Sequence, residues 1–130
     1  MPDRPMKRFL FARPFTVLVT VAIILLSLLP LPEDLPLADV SLIDKWTHLV
    51  MYGGLAWVAY LEHRRRAALP QLLLVALVFP VLLGGLLELL QEWLTTYRSG
   101  EWFDFVADAV GAGLGYALGI ATAWLWQRLR

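Results

Sequence analysis

The sequence predicts an all-α fold, an integral membrane four-helix bundle with both termini cytoplasmic, and three observations predict it. Apolar residues make up 59% of the 130-residue chain and charged residues 17%, against about 45–50% and about 25% in soluble domains. The apolar residues gather into four stretches, each near the ~20 residues that a bilayer-spanning helix needs. The basic residues are segregated along the chain: nine of the eleven lie in the N-terminal tail (Arg4, Lys7, Arg8, Arg13), the short second connection (Arg64, Arg65, Arg66) and the C-terminus (Arg128, Arg130). Only Lys45 and Arg98 fall on the other side, so the positive-inside rule makes the basic side cytoplasmic. Four spans use roughly 80 residues, which leaves no room for a separate soluble domain. Residues 1–130 therefore read as one transmembrane domain, multi-pass in a cytoplasmic membrane.

The first helix is expected at about residues 10–30. Phe15 to Leu29 carries no charge and lies between Pro14 and Pro30; fifteen residues at ~1.5 Å each span only about 22 Å, so Phe9 to Ala12 should extend it, with Arg13 reaching to the headgroups. A cleaved signal peptide is the competing reading, and the absence of a small-x-small cleavage pattern in Pro30-Leu31-Pro32-Glu33-Asp34 argues against it. The second helix is expected at about 45–62, stopped by the three arginines, with Asp44 a candidate N-cap. The third, at about 68–92, holds Pro80, which removes a backbone hydrogen bond and should kink it; Gly84 and Gly85 one turn later permit close packing. The fourth, at about 104–127, places Gly111, Gly115 and Gly119 at every fourth position. That stripe is a helix-packing surface of the GxxxG kind, first of all inside the bundle and secondly a route to homo-oligomers.

The acids run opposite to the bases. Glu33, Asp34, Asp39, Asp44, Glu88, Glu92, Glu101, Asp104 and Asp108 all fall at the outer side, against Asp3 and Glu62 inside. On a helix, Asp44, His48 and Tyr52 share one face at i, i+4 and i+8, Glu88 and Gln91 share another at i, i+3, and Asp104 and Asp108 another at i, i+4. Arg98 lies on the connection between the last two helices. An ionisable side chain in lipid costs at least about 2.5–3.5 kcal/mol, so these groups must face the bundle interior, a partner or water.

In order and spacing, Asp44-Lys45-x-x-His48-x-x-x-Tyr52-x-x-Leu55, Glu88-x-x-Gln91, Arg98, and Asp104-x-x-x-Asp108-x-x-Gly111-x-x-x-Gly115 resemble the VanZ-like family of small bacterial membrane proteins. The resemblance covers Asp44 to Gly119 and departs at Asp108, where the family pattern has asparagine. It implies a membrane protein of the bacterial cell envelope, in a family named for a member associated with resistance to the glycopeptide teicoplanin. It implies a location for the site and no particular reaction.

The function expected first is a polar site at the outer face that binds or acts on an amphiphile, such as a lipid-linked envelope precursor or a lipophilic glycopeptide. As an enzyme it would use His48 as general acid or base and Glu88 or Asp104 as its orienting carboxylate, with Arg98 and Lys45 as phosphate clamp. Asp44, Tyr52, Gln91 and Asp108 complete the substrate-binding set. The second class is a non-enzymatic accessory protein whose polar cluster only locks the helices together. A metal ion on His48 with Asp44, Glu88, Asp104 or Asp108 is the weakest reading, because no compact ligand spacing such as HExxH is present; neither a metal nor a cofactor is assigned. Zero cysteines exclude disulfides, iron–sulfur sites and thiol nucleophiles. The partners expected are membrane lipids, and nucleic acid is not among them, since topology already accounts for the arginine triplet.

Overall fold

The computed structural model describes residues 13–28, 41–94 and 102–129, with the side chains of 41–45, 94 and 102 outside that description. All the secondary structure among the described residues is helical. Helix α1 spans Pro14–Leu28 and α2 spans Ser41–His63. A third rod consists of α3 (Leu69–Leu73), a π-helical segment π1 (Leu74–Val78) and α4 (Phe79–Leu94), and α5 spans Trp102–Leu129. The third rod and α5 are each long and apolar enough to cross a membrane, and α1 is a shorter apolar helix.

Residue pairings show that the rods alternate in direction. Phe15 and Thr16 at the start of α1 meet Glu62 at the end of α2, so those two run antiparallel. Positions 84 and 85 of α4 meet Asp108 and Phe105 of α5, also antiparallel. In contrast α2 and α5 are parallel: Leu49 faces Gly111, Gly53 faces Gly115 and Tyr60 faces Gly119. A Cβ on Gly111 would run into the Leu49 carbonyl, and one on Gly115 into the Gly53 carbonyl. The glycine stripe is thus spent on α2 within the chain, as the packing reading expects. Self-association through the same three glycines would first have to displace α2.

Pro80 does not interrupt the third rod. It cannot donate to a carbonyl one α-turn back, and the chain accommodates this in π1, where the Phe79 amide bonds the Leu74 carbonyl five residues earlier. The hydrogen bond that Pro80 forgoes is thus absorbed by a turn of wider helix. One correction concerns Asp44: α2 begins at Ser41, so Asp44 sits in its first turn and is not its N-cap. The proposed extension through Phe9 to Ala12 lies outside the described residues.

One cluster of buried apolar side chains, Ile23, Tyr52, Leu55, Leu83 and Leu87, joins α1, α2 and α4. A second, Ala59, Leu72 and Ala76, lies toward the opposite end, where Tyr60 and Tyr116 meet edge to face with centroids 5.1 Å apart. Outside these clusters the surface is itself apolar. Leu18, Leu82, Leu114 and Trp93 are among many large hydrophobic residues more than half exposed.

Candidate functional site: a buried histidine among carboxylates

The first polar centre lies at the end of the bundle where α1 and α4 finish and α2 and α5 begin. His48 is 6% exposed, Glu88 8%, Asp104 4% and Asp108 0%. The period of an α-helix places His48 one turn before Tyr52 on the inner face of α2. It likewise places Asp104 and Asp108 on the stripe of α5 that continues into the glycines. Three rods thereby converge on one imidazole.

His48 Nδ1 donates to Asp108 Oδ1 at 2.8 Å. Glu88 Oε1 stands 3.8 Å from the same nitrogen, and Asp104 Oδ2 stands 3.8 Å from Nε2. The first is a hydrogen bond and the other two are ion-pair distances. The carboxylate that orients the imidazole is therefore Asp108, rather than either Glu88 or Asp104. Its bond keeps the proton on Nδ1 and turns Nε2 toward Asp104, the arrangement in which Nε2 can take or return a proton.

Room for Asp108 comes from the opposite helix. A Cβ at Gly84 would lie 2.7 Å from Asp108 Oδ2 and 2.9 Å from its Cβ, so a carboxylate at 108 requires glycine at 84. Next to it, Gly85 admits the ring of Phe105. The remaining residues extend the centre toward α1. The Tyr52 ring stacks near that of His48, with centroids 6.3 Å apart. Gln91 Nε2 donates to the Ser27 carbonyl at 2.8 Å, which ties α4 to the last turn of α1. Of the residues singled out from the sequence, His48, Tyr52, Glu88, Gln91, Asp104 and Asp108 lie together here. The side chains of Asp44 and Lys45, and all of Arg98, lie outside the described residues.

His48, Glu88 and Asp108 each offer one ligand atom, and these atoms lie within 4.8 Å of one another. A cation bound at Nδ1 would have to replace the hydrogen that Asp108 now accepts. The geometry as it stands is that of a hydrogen-bonded histidine.

A second polar arrangement, not assigned a role from the sequence, occupies the opposite end. His63, 2% exposed, contacts the Ala59 carbonyl through Nδ1 at 2.8 Å and Arg13 Nε through Nε2 at 2.7 Å. A carbonyl only accepts and Nε–H only donates, so His63 is neutral with its proton on Nδ1. Glu62 beside it accepts from the amides of Phe15 and Thr16 at 3.0 and 3.1 Å, doing for α1 what an N-cap side chain does. Arg13 is thereby tied to His63 through Nε at the start of α1. The one signal in the sequence was the pair Glu62-His63 placed ahead of the arginines.

The chain matches no protein-family model, no curated protein and no solved structure.

Proposed function

We propose that this chain is a multi-pass bacterial membrane protein, a four-helix bundle with both termini cytoplasmic, whose His48 centre faces outward and receives the polar head of a membrane amphiphile. The ligand class is a lipid-linked envelope precursor or a lipophilic glycopeptide, in keeping with the VanZ-like resemblance. The observation that carries the reading is the convergence of four buried ionisable groups from three helices at one end of an apolar-surfaced bundle. Apolar side chains exposed around all four rods suit lipid and are costly in water. In this reading His48, oriented by Asp108, exchanges a proton with the bound head group. Glu88 and Asp104 set the local charge, Tyr52 and Gln91 line the approach, and Asp44, Lys45 and Arg98 from the adjoining segments contact the ligand, the two bases gripping a phosphate or carboxylate. The second reading, a polar lock that only holds the helices together, is favoured by the near-complete burial of the same four groups.

Two experiments test this. Reporter fusions after Asp39 and Ser99 should read as external and one after Arg66 as internal; a reversal overturns the outward placement. The variants His48→Gln, Glu88→Gln and Arg98→Lys should each abolish an envelope phenotype, such as altered glycopeptide susceptibility, while expression and Tm stay near wild type. Because groups that act as a unit are non-additive, His48→Gln/Glu88→Gln should be little worse than either single change. Losses that add up and follow stability identify the lock, and full activity in every single variant removes the site.

A further inference from the structure

The end of the bundle opposite His48 carries a cleft that the reading above leaves unused. It lies between α1 and π1, has a volume of about 350 Å³, and is walled by Val17 and Val21 on one side and Leu74, Val75 and Phe79 on the other. Arg13 and His63 line it at the start of α1. From Arg13 to Val21 is eight residues, about 12 Å of helix at ~1.5 Å each. The cleft thus runs from a cationic mouth at the helix end into an apolar interior, and its flanks are open sideways: Val21 is 47% and Leu74 57% exposed.

We propose that this cleft is a binding site for one anionic phospholipid, with an acyl chain between α1 and π1 and the phosphate held by Arg13. Four observations support that occupant. The polarity gradient is that of a phospholipid, charged at the membrane surface and apolar beneath it. Arg13 is positioned at the mouth by the hydrogen bond of its Nε to the His63 imidazole, a neutral contact that itself adds no negative charge there. Arg64, Arg65 and Arg66 follow His63 directly in the chain and bring further positive charge to the same end, which favours an anionic head group. Thr16, 6% exposed, lines the cleft with a hydroxyl that has no hydrogen-bond partner among the described residues. The Thr20 hydroxyl is spent on the Thr16 carbonyl at 2.8 Å, so the deeper wall presents no competing polar demand. The wider helical turn of π1 supplies Leu74 and Val75 to the opposite wall.

The proposal rests on the membrane reading and is independent of what the His48 centre does. It is tested on the full chain purified in neutral detergent, by native mass spectrometry with phosphatidylglycerol or phosphatidylcholine of identical acyl chains. One phosphatidylglycerol per chain should be retained at a concentration about tenfold below that needed for phosphatidylcholine. Arg13→Gln should bring the two lipids to the same level, and Val75→Trp, which fills the cleft from the opposite wall, should lose both. Glycerol phosphate, which has the head group without the tails, should neither bind nor compete. Circular dichroism identifies the folded variants, and Val75→Trp keeps the test decisive if Arg13→Gln fails to fold. Equal retention of both lipids by the wild type, unchanged binding in Val75→Trp, or competition by glycerol phosphate overturns the proposal. If the protein still fractionates with membranes, such a failure removes the cleft alone.

Discussion

The carboxylate of Asp108 occupies the space where a side chain at position 84 would begin: a Cβ built on Gly84 falls 2.7 Å from Asp108 Oδ2. The glycine of one helix and the acid of another are therefore a matched pair, and the hydrogen bond from His48 to Asp108 at 2.8 Å depends on both. Gly84→Ala should push the carboxylate off His48 and cost about 1–3 kcal/mol, the usual range for overpacking a tight interior. Thermal denaturation in detergent measures the loss, and the nitrogen chemical shifts of the His48 ring report the broken bond. An unchanged imidazole signal in a stable Gly84→Ala protein would contradict the pairing.

Asp108 itself separates hydrogen bonding from charge. Asp108→Asn keeps a carbonyl oxygen that can accept from His48 Nδ1, whereas Asp108→Ala removes that acceptor and leaves the donor with Glu88 Oε1 at 3.8 Å, beyond hydrogen-bond distance. The alanine variant should lose about 3–5 kcal/mol, as when one partner of a buried pair is removed. The asparagine variant should lose much less. Comparison of the two melting temperatures checks this, and equal losses would show that the negative charge is what the fold requires.

At the other end, Glu62 caps α1 across the helix pair. Glu62→Ala removes both acceptors and should destabilise the protein by about 0.5–2 kcal/mol, the range for loss of an N-cap. Glu62→Gln retains one oxygen and should recover part of it. Hydrogen exchange at Phe15 and Thr16 is the direct readout: their amides should exchange faster in Glu62→Ala while those in the middle of α5 do not change.

The glycines of α5 divide by face. Gly115 abuts the Gly53 carbonyl, while Gly113 has nothing within 4 Å of an added Cβ. Gly115→Leu should separate α2 from α5 and reduce the yield of folded protein, and Gly113→Leu should be tolerated. Size-exclusion profiles and melting temperatures of the two variants make the comparison. Tolerance of Gly115→Leu would place the stripe on the exposed face of α5.

Much of this was legible along the chain because it is local or periodic. Composition and four apolar stretches determined an all-helical chain. The 3.6-residue period placed His48 with Tyr52, and Asp104 with Asp108, on shared faces, and the four-residue recurrence of Gly111, Gly115 and Gly119 marked a contact surface. None of this required knowing which helix lies beside which. The partners were decided only by tertiary packing. That Asp108 rather than Glu88 or Asp104 reaches His48 Nδ1 depends on how far α5 slides along α2, and that register is set by the approach of Gly111 and Gly115 to the carbonyls of Leu49 and Gly53. The sequence marked Gly84 only as a place for close packing, because the acid it accommodates is twenty-four residues away on another helix. The bond between Arg13 and His63 was hidden for the same reason: fifty residues separate them, and only the antiparallel return of α2 along α1 brings a cation to a neutral imidazole. Periodicity fixes which face a side chain occupies; the distance between two faces is a property of the packed bundle.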